Sequence, residues 1–160
     1  MCIRDSLPSQ LLPELFSGSV AACCRAPTHP ESETALRYKQ TILIRKDLKM
    51  RRGKEIAQES HASMEFLVSQ LRTDGTPSLD IDEATRRWIA AGMAKVCLQV
   101  HSEEELLSYH HEALKSGLKS ALIRDSGCTE FHGVATYTAC AIGPEAADAI
   151  DQITSTLSLY

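Results

Sequence analysis

The chain has 160 residues, 43% of them hydrophobic and 24% charged, with a formal net charge of −4. These proportions suit one soluble-type globular domain with enough chain to bury a core, and no apolar run approaches the eighteen or more residues of a membrane span. The charge is unevenly spread. Of the 17 Lys and Arg residues, 8 lie between Arg37 and Lys54, against Asp47 alone. A one-sided basic patch on an acidic body steers a polyanion to one place.

Six cysteines (Cys2, Cys23, Cys24, Cys97, Cys128, Cys140) show neither C-x-x-C spacing nor a secreted framework. No metal site is expected from them, and a reducing cytoplasm is the expected compartment. Cys97 and Cys140 sit in strand-like runs and read as small buried hydrophobes.

In chain order, residues 1–37 come first, with four prolines, no sustained periodicity and only "VAACC" as an apolar run. They read as a disordered or extraneous N-terminal segment, and the opening "MCIRDS" resembles a translated sequencing adapter. The domain is expected to span 38–160. It opens with a β-rich run, 39–45, that ends in the basic loop. From Lys54 to Leu71, Ala57, Ser60, Met64, Leu67, Val68 and Leu71 form a helical stripe. Residues 73–80 break it, and 81–92 form a second helix capped by Asp80 or Asp82 and stopped at Gly92. A buried strand follows at 95–100. Ser102 and Glu105 then make a capping box for a helix ending at Gly117. Strands at 120–124 and 136–142 follow, separated by a loop. Gly143-Pro144 is expected to start the last helix, with Ile150, Ile153 and Leu157 facing inward. The order is β-α-α-β-α-β-β-α, a single α/β domain.

Helical crossovers make the first three strands parallel, so they share a carboxyl end, outside which ligands of open α/β sheets bind. The basic loop and Asp125 both leave strands at that end, and an antiparallel fourth strand would begin there with Thr136 and Thr138 on one face. Lys54, Gln58 and His61, spaced i, i+4, i+7, form one stripe on the first helix. A lysine in a first turn opposes the helix dipole and calls for a compensating anion, either a ligand or a carboxylate such as Asp125. Each feature has a plainer reading: a satisfied histidine, a solvated basic turn, a D-S-G turn bonded only to itself. "RRGKE" lacks the first glycine and the Ser/Thr of a phosphate-binding P-loop, and no G-x-S-x-G elbow is present.

"IRKDLKMRRGKEIAQESHA", "ALIRDSGCTEF", "TYTACAIGPEAADAID" and the terminal "LSLY" together resemble the type 2 peptidyl-tRNA hydrolase family, over roughly residues 38–160. Three departures stand out. Arg51 replaces the family's usual glycine after D-L-K-M, and its I-A-A-Q reads Glu55-Ile56-Ala57-Gln58. The loop between Asp125 and Gly143 is one residue longer than the family's common form and carries "TEFHG", which leaves Thr136 and Thr138 both open for the site. The resemblance implies hydrolysis of the ester between peptide and tRNA, recycling tRNA from stalled translation. It also implies a three-layer α/β/α sandwich on a mixed four-stranded sheet with the last strand antiparallel, no metal or cofactor, and often a homodimer. On that footing Lys54 is expected to stabilise the oxyanion, and Asp125 to hold Lys54 and to place or deprotonate water. Thr129 and Thr138 are expected to orient that water, with Gln58 and His61 fixing the network. Lys46, Lys49, Arg51, Arg52 and Gly53 are expected to meet tRNA phosphates. Counting back from Ile142-Gly143-Pro144 favours Thr138 over Thr136 for the site. The alternative is a non-catalytic tRNA-binding or RNA-binding module using the same patch.

Overall fold

The computed structural model of the chain describes residues 37–72 and 79–160. The proposed leader, up to residue 36, and most of the break at 73–80 lie outside the described residues. The elements are β1 (Tyr38–Arg45), α1 (Arg52–Leu71), α2 (Glu83–Ala90), β2 (Lys95–Val100), α3 (Glu103–Lys115), β3 (Ser120–Asp125), β4 (Thr136–Ala146) and α4 (Ala147–Thr154). They form a mixed sheet in the order β2-β1-β4-β3. β1 and β2 are parallel, and β4 runs antiparallel to both β1 and β3. The first three strands therefore share one carboxyl end, as their crossovers require.

Strand alternation sends apolar side chains to both faces, so each face needs a cover. On one face Leu43, Leu98, Val100, Cys140 and Ile142 pack with Leu106 and Ala113 of α3 and Ile150 and Ile153 of α4. On the other, Ile42, Ile44, Ile123, Ala139 and Ala141 pack with Ala62 of α1 and Met50 of the basic loop. Gln40 of β1 ties α1 down through two bonds to Ser63, one donated to its carbonyl (3.1 Å) and one accepted from its hydroxyl (2.9 Å). Caps set two helix starts: Asp82 accepts from the Thr85 N–H (2.8 Å) and Ser102 from the Glu105 N–H (3.1 Å). Glu105 reaches back to the His101 N–H at 2.6 Å, one residue before the cap, in a variant of the expected box.

Three expectations are corrected. α1 buries Gln58 and Ala62, whereas Met64 and Leu71 of the expected stripe are 51% and 44% exposed. Gly143-Pro144 does not start a helix; it lies inside β4 with a cis peptide bond, and α4 begins at Ala147. Gly143 has φ +92°, and a Cβ there would come within 2.9 Å of the Lys39 carbonyl oxygen and of the Ile150 side chain, so glycine answers a close approach of strand and helix. Leu157 lies beyond the last helix, though it still packs on the core. Of the cysteines, Cys140 is buried, Cys97 half-buried and Cys128 exposed.

Candidate active site

The basic loop leaves the carboxyl end of β1 and is pinned from below. Met50 is buried and Leu48 packs beside it, while Lys49 between them turns the chain at φ 50° and stays exposed. α1 starts at Arg52 behind an Arg51 cap that contributes no side-chain bond. Lys54 thus falls in the first turn, where the open N–H groups disfavour a cation. The compensating carboxylate is Asp125, at the carboxyl end of β3.

The Lys54 ammonium lies 2.5 Å from Asp125 Oδ2 and donates to Thr129 Oγ1 at 3.1 Å. Gln58, one turn further along α1, donates from Nε2 to the same Asp125 oxygen at 3.1 Å. Its Oε1 accepts from Thr138 at 2.6 Å. That bond fixes the amide's orientation, because an oxygen engaged by a hydroxyl leaves the nitrogen to face the carboxylate. The other carboxylate oxygen accepts from the Gly127 N–H at 2.9 Å. Gly127 has φ +82°, and a Cβ would come within 2.2 Å of the Val134 carbonyl oxygen, so this turn requires glycine.

The Lys54 and Asp125 side chains are only 14% and 12% exposed. Burial by itself would raise the Asp125 carboxyl, but the bonds from Lys54, the Gly127 N–H and Gln58, with the lysine's charge, hold it below the usual carboxylate range. The carboxylate is therefore ionised at neutral pH, aligned by three donors. Among them, only the lysine is charged.

A β-bulge delivers Thr138. The β3–β4 register shifts between Ile123, paired with Ala139, and Arg124, paired with Tyr137, so Thr138 is skipped. Tyr137 packs on one core and Ala139 on the other, while Thr138 reaches Gln58 on Ala139's side. Re-aiming one side chain is a recurrent use of a bulge. Thr136 turns instead to the Val134 carbonyl at 2.9 Å.

A family model described as Peptidyl-tRNA hydrolase PTH2 covers residues 38–160. The chain belongs to the peptidyl-tRNA hydrolase PTH2 family. It is similar to proteins named peptidyl-tRNA hydrolase from Methanopyrus kandleri (40% identical over 122 residues, 76% of this chain and 97% of that protein) and Halobacterium salinarum (43% over 122 residues, 76% and 99%). Methanocaldococcus jannaschii has another, 38% identical over 121 residues, covering 76% of this chain and 98% of that protein.

Within this peptidyl-tRNA hydrolase fold, Lys54, Asp125, Thr129, Gln58 and Thr138 meet in one network, and His61 does not. His61 is exposed on α1, on the wall of a cleft of about 250 Å³ that also takes in Gln58 and Asp125. Around the helix start, Lys46, Lys49, Arg52 and Gly53 are exposed. The Lys46 ammonium stands 4.0 Å over the Tyr160 ring, whose hydroxyl donates to Glu55. Arg51 is held by Glu130, its Nε 2.5 Å from Oε1. Sequence reasoning missed Glu130, Tyr160 and the Gly127 N–H. The D-S-G turn was a local signal for the last, whereas the stretches holding Glu130 and Tyr160 gave no hint of their partners.

Proposed function

We propose that this chain hydrolyses the ester joining a peptide to the terminal ribose of tRNA, in the cytoplasm, returning tRNA from stalled or aborted translation. The observation that carries it is the Lys54–Asp125 pair, fixed by Gln58 and Thr138 beside the basic loop. Water adds to the ester carbonyl, and the bond to the ribose oxygen then breaks. The water's protons pass to the ribose oxygen and to solvent, leaving a peptide carboxylate and a tRNA hydroxyl. Negative charge on the intermediate needs a donor aimed at it, and Lys54 stands as that donor.

A carboxyl held below its usual range is a weak base, so Asp125 serves by aligning Lys54 and a water molecule more than by removing a proton. Thr129, exposed beside the ammonium, orients that water. Thr138 is fully buried and acts through Gln58 as a positioning residue. Lys46, Lys49 and Arg52, with the bare backbone of Gly53, meet phosphates and supply affinity rather than chemistry. The test is turnover of N-acetyl-aminoacyl-tRNA. Release of the N-acetyl amino acid by the purified protein supports the reading, and tRNA binding without release would mark an RNA-binding module instead.

A further inference from the structure

The sheet has two edges, and the chain treats them differently. Along β2 the C-terminal tail bonds across the edge through an isolated bridge: Leu98 opposes Leu159, the Gln99 N–H donates to the Ser158 carbonyl and the Tyr160 N–H to the Cys97 carbonyl, both at 3.0 Å. Among the described residues, β3 pairs with β4 alone and nothing bonds the backbone of its outer edge. That open edge runs straight to Asp125, the last residue of the strand.

The cleft of about 250 Å³ lies along it. Its wall includes residues 122–126 in unbroken succession, together with Gln58, His61 and the Glu65–Arg72 ion pair. Alternate residues of a strand point to opposite faces, so four consecutive strand residues in the lining, 122–125, mean that the cleft borders the backbone edge itself. Unpaired N–H and C=O groups at strand spacing recognise any extended peptide by its main chain, whatever its side chains. Open edges are normally guarded. Here the register shift at Ile123/Arg124 and the exposed Arg124 charge oppose docking of a second sheet, while a single short strand keeps access.

We infer that this edge seats the peptide half of the substrate, added to β3 as a parallel strand; the inference rests on the hydrolytic reading above. The direction follows from the chemistry. The ester carbonyl must lie at Lys54 and Asp125, at the carboxyl end of β3, so the peptide extends back toward Ser120 and runs the same way as β3. At about 3.3 Å per residue the cleft-lining segment matches roughly three or four peptide residues. Recognition through the main chain makes the site tolerant of peptide sequence and sensitive to peptide length.

The test uses the intact protein and three esters on one tRNA: an N-acetyl amino acid, an N-acetyl tetrapeptide, and that tetrapeptide with its internal amides N-methylated. The tetrapeptide is expected to be cleaved with the highest kcat/KM, falling about tenfold on N-methylation, since the methyl groups remove hydrogen-bond donors. An amide-linked, uncleavable form of the tetrapeptide on adenosine is expected to slow hydrogen exchange at β3 backbone amides. Equal kcat/KM for all three esters, with β3 exchange unchanged, overturns the peptide seat and leaves the hydrolytic reading standing. Absence of turnover on every ester overturns both.

Discussion

Lys54 is placed against local preference, in a helix turn that disfavours cations, and the structure shows the opposing term: a carboxylate 2.5 Å away, itself bonded by Gln58 and Gly127. A charge aimed at the transition state acts on rate more than on binding. Lys54→Ala is therefore expected to lower kcat by roughly 10²–10³, with KM nearly level because Lys46, Lys49 and Arg52 remain. Steady-state kinetics on N-acetyl-aminoacyl-tRNA checks this. An intact kcat with a raised KM would make Lys54 a phosphate contact instead. Thermal stability is expected to fall as well, since the Asp125 charge would lose its cationic partner in a site largely closed to water.

At the scale of elements, α2 offers a separable test. Asp82 caps it and also takes a bond from Lys119. Burial works against its ionised form, but the bonds from Lys119 and Thr85 and the lysine's charge win, lowering the carboxyl to about 2. Because the folded value lies below the unfolded one, the stability it adds is present above about pH 4 and lost as pH falls toward about 2. Asp82→Asn keeps the cap and loses the charge, so melting temperatures of the two proteins are expected to differ at pH 7 and converge at about pH 2. Asp82→Ala also loses the cap, which costs about 1 kcal/mol at neutral pH.

Such helix starts were legible in the sequence, because a cap is a local pattern. So were the element order and the focusing of Lys54, Asp125 and Thr138 on one sheet end, which follow from connection rules. The inward face of α1 was not legible. Periodicity counts apolar residues, whereas this helix turns Gln58 to the sheet because its amide serves two partners there. Gly143-Pro144 misled for a related reason: proline suits a first helical turn, but here it lies within β4, between a glycine that avoids the Lys39 carbonyl and the start of α4. Glu130 and Tyr160 lie in stretches that carry the family resemblance, but nothing local names their partners, and only the assembled fold brings them to Arg51 and Lys46.

For the molecule as a whole, the basic patch is not all equally available to a polyanion. Arg51 is exposed yet occupied by Glu130, whose carboxyl its guanidinium holds below the usual range. Glu130→Gln is expected to free it, steepening the log–log salt dependence of tRNA binding by about 0.7–0.9. An unchanged slope would place Arg51 outside the interface. The network at the other end of the helix start has a different consequence, for folding. Lys54 and Asp125 are 71 positions apart in the chain, and Gln58 and Thr138 are 80 apart. Contacts that close such long loops form only after the chain entropy between them has been spent. On dilution from denaturant, helical signal is thus expected to return before hydrolysis does. Far-ultraviolet circular dichroism followed alongside turnover checks the order, and catalysis becomes a reporter of the completed sheet.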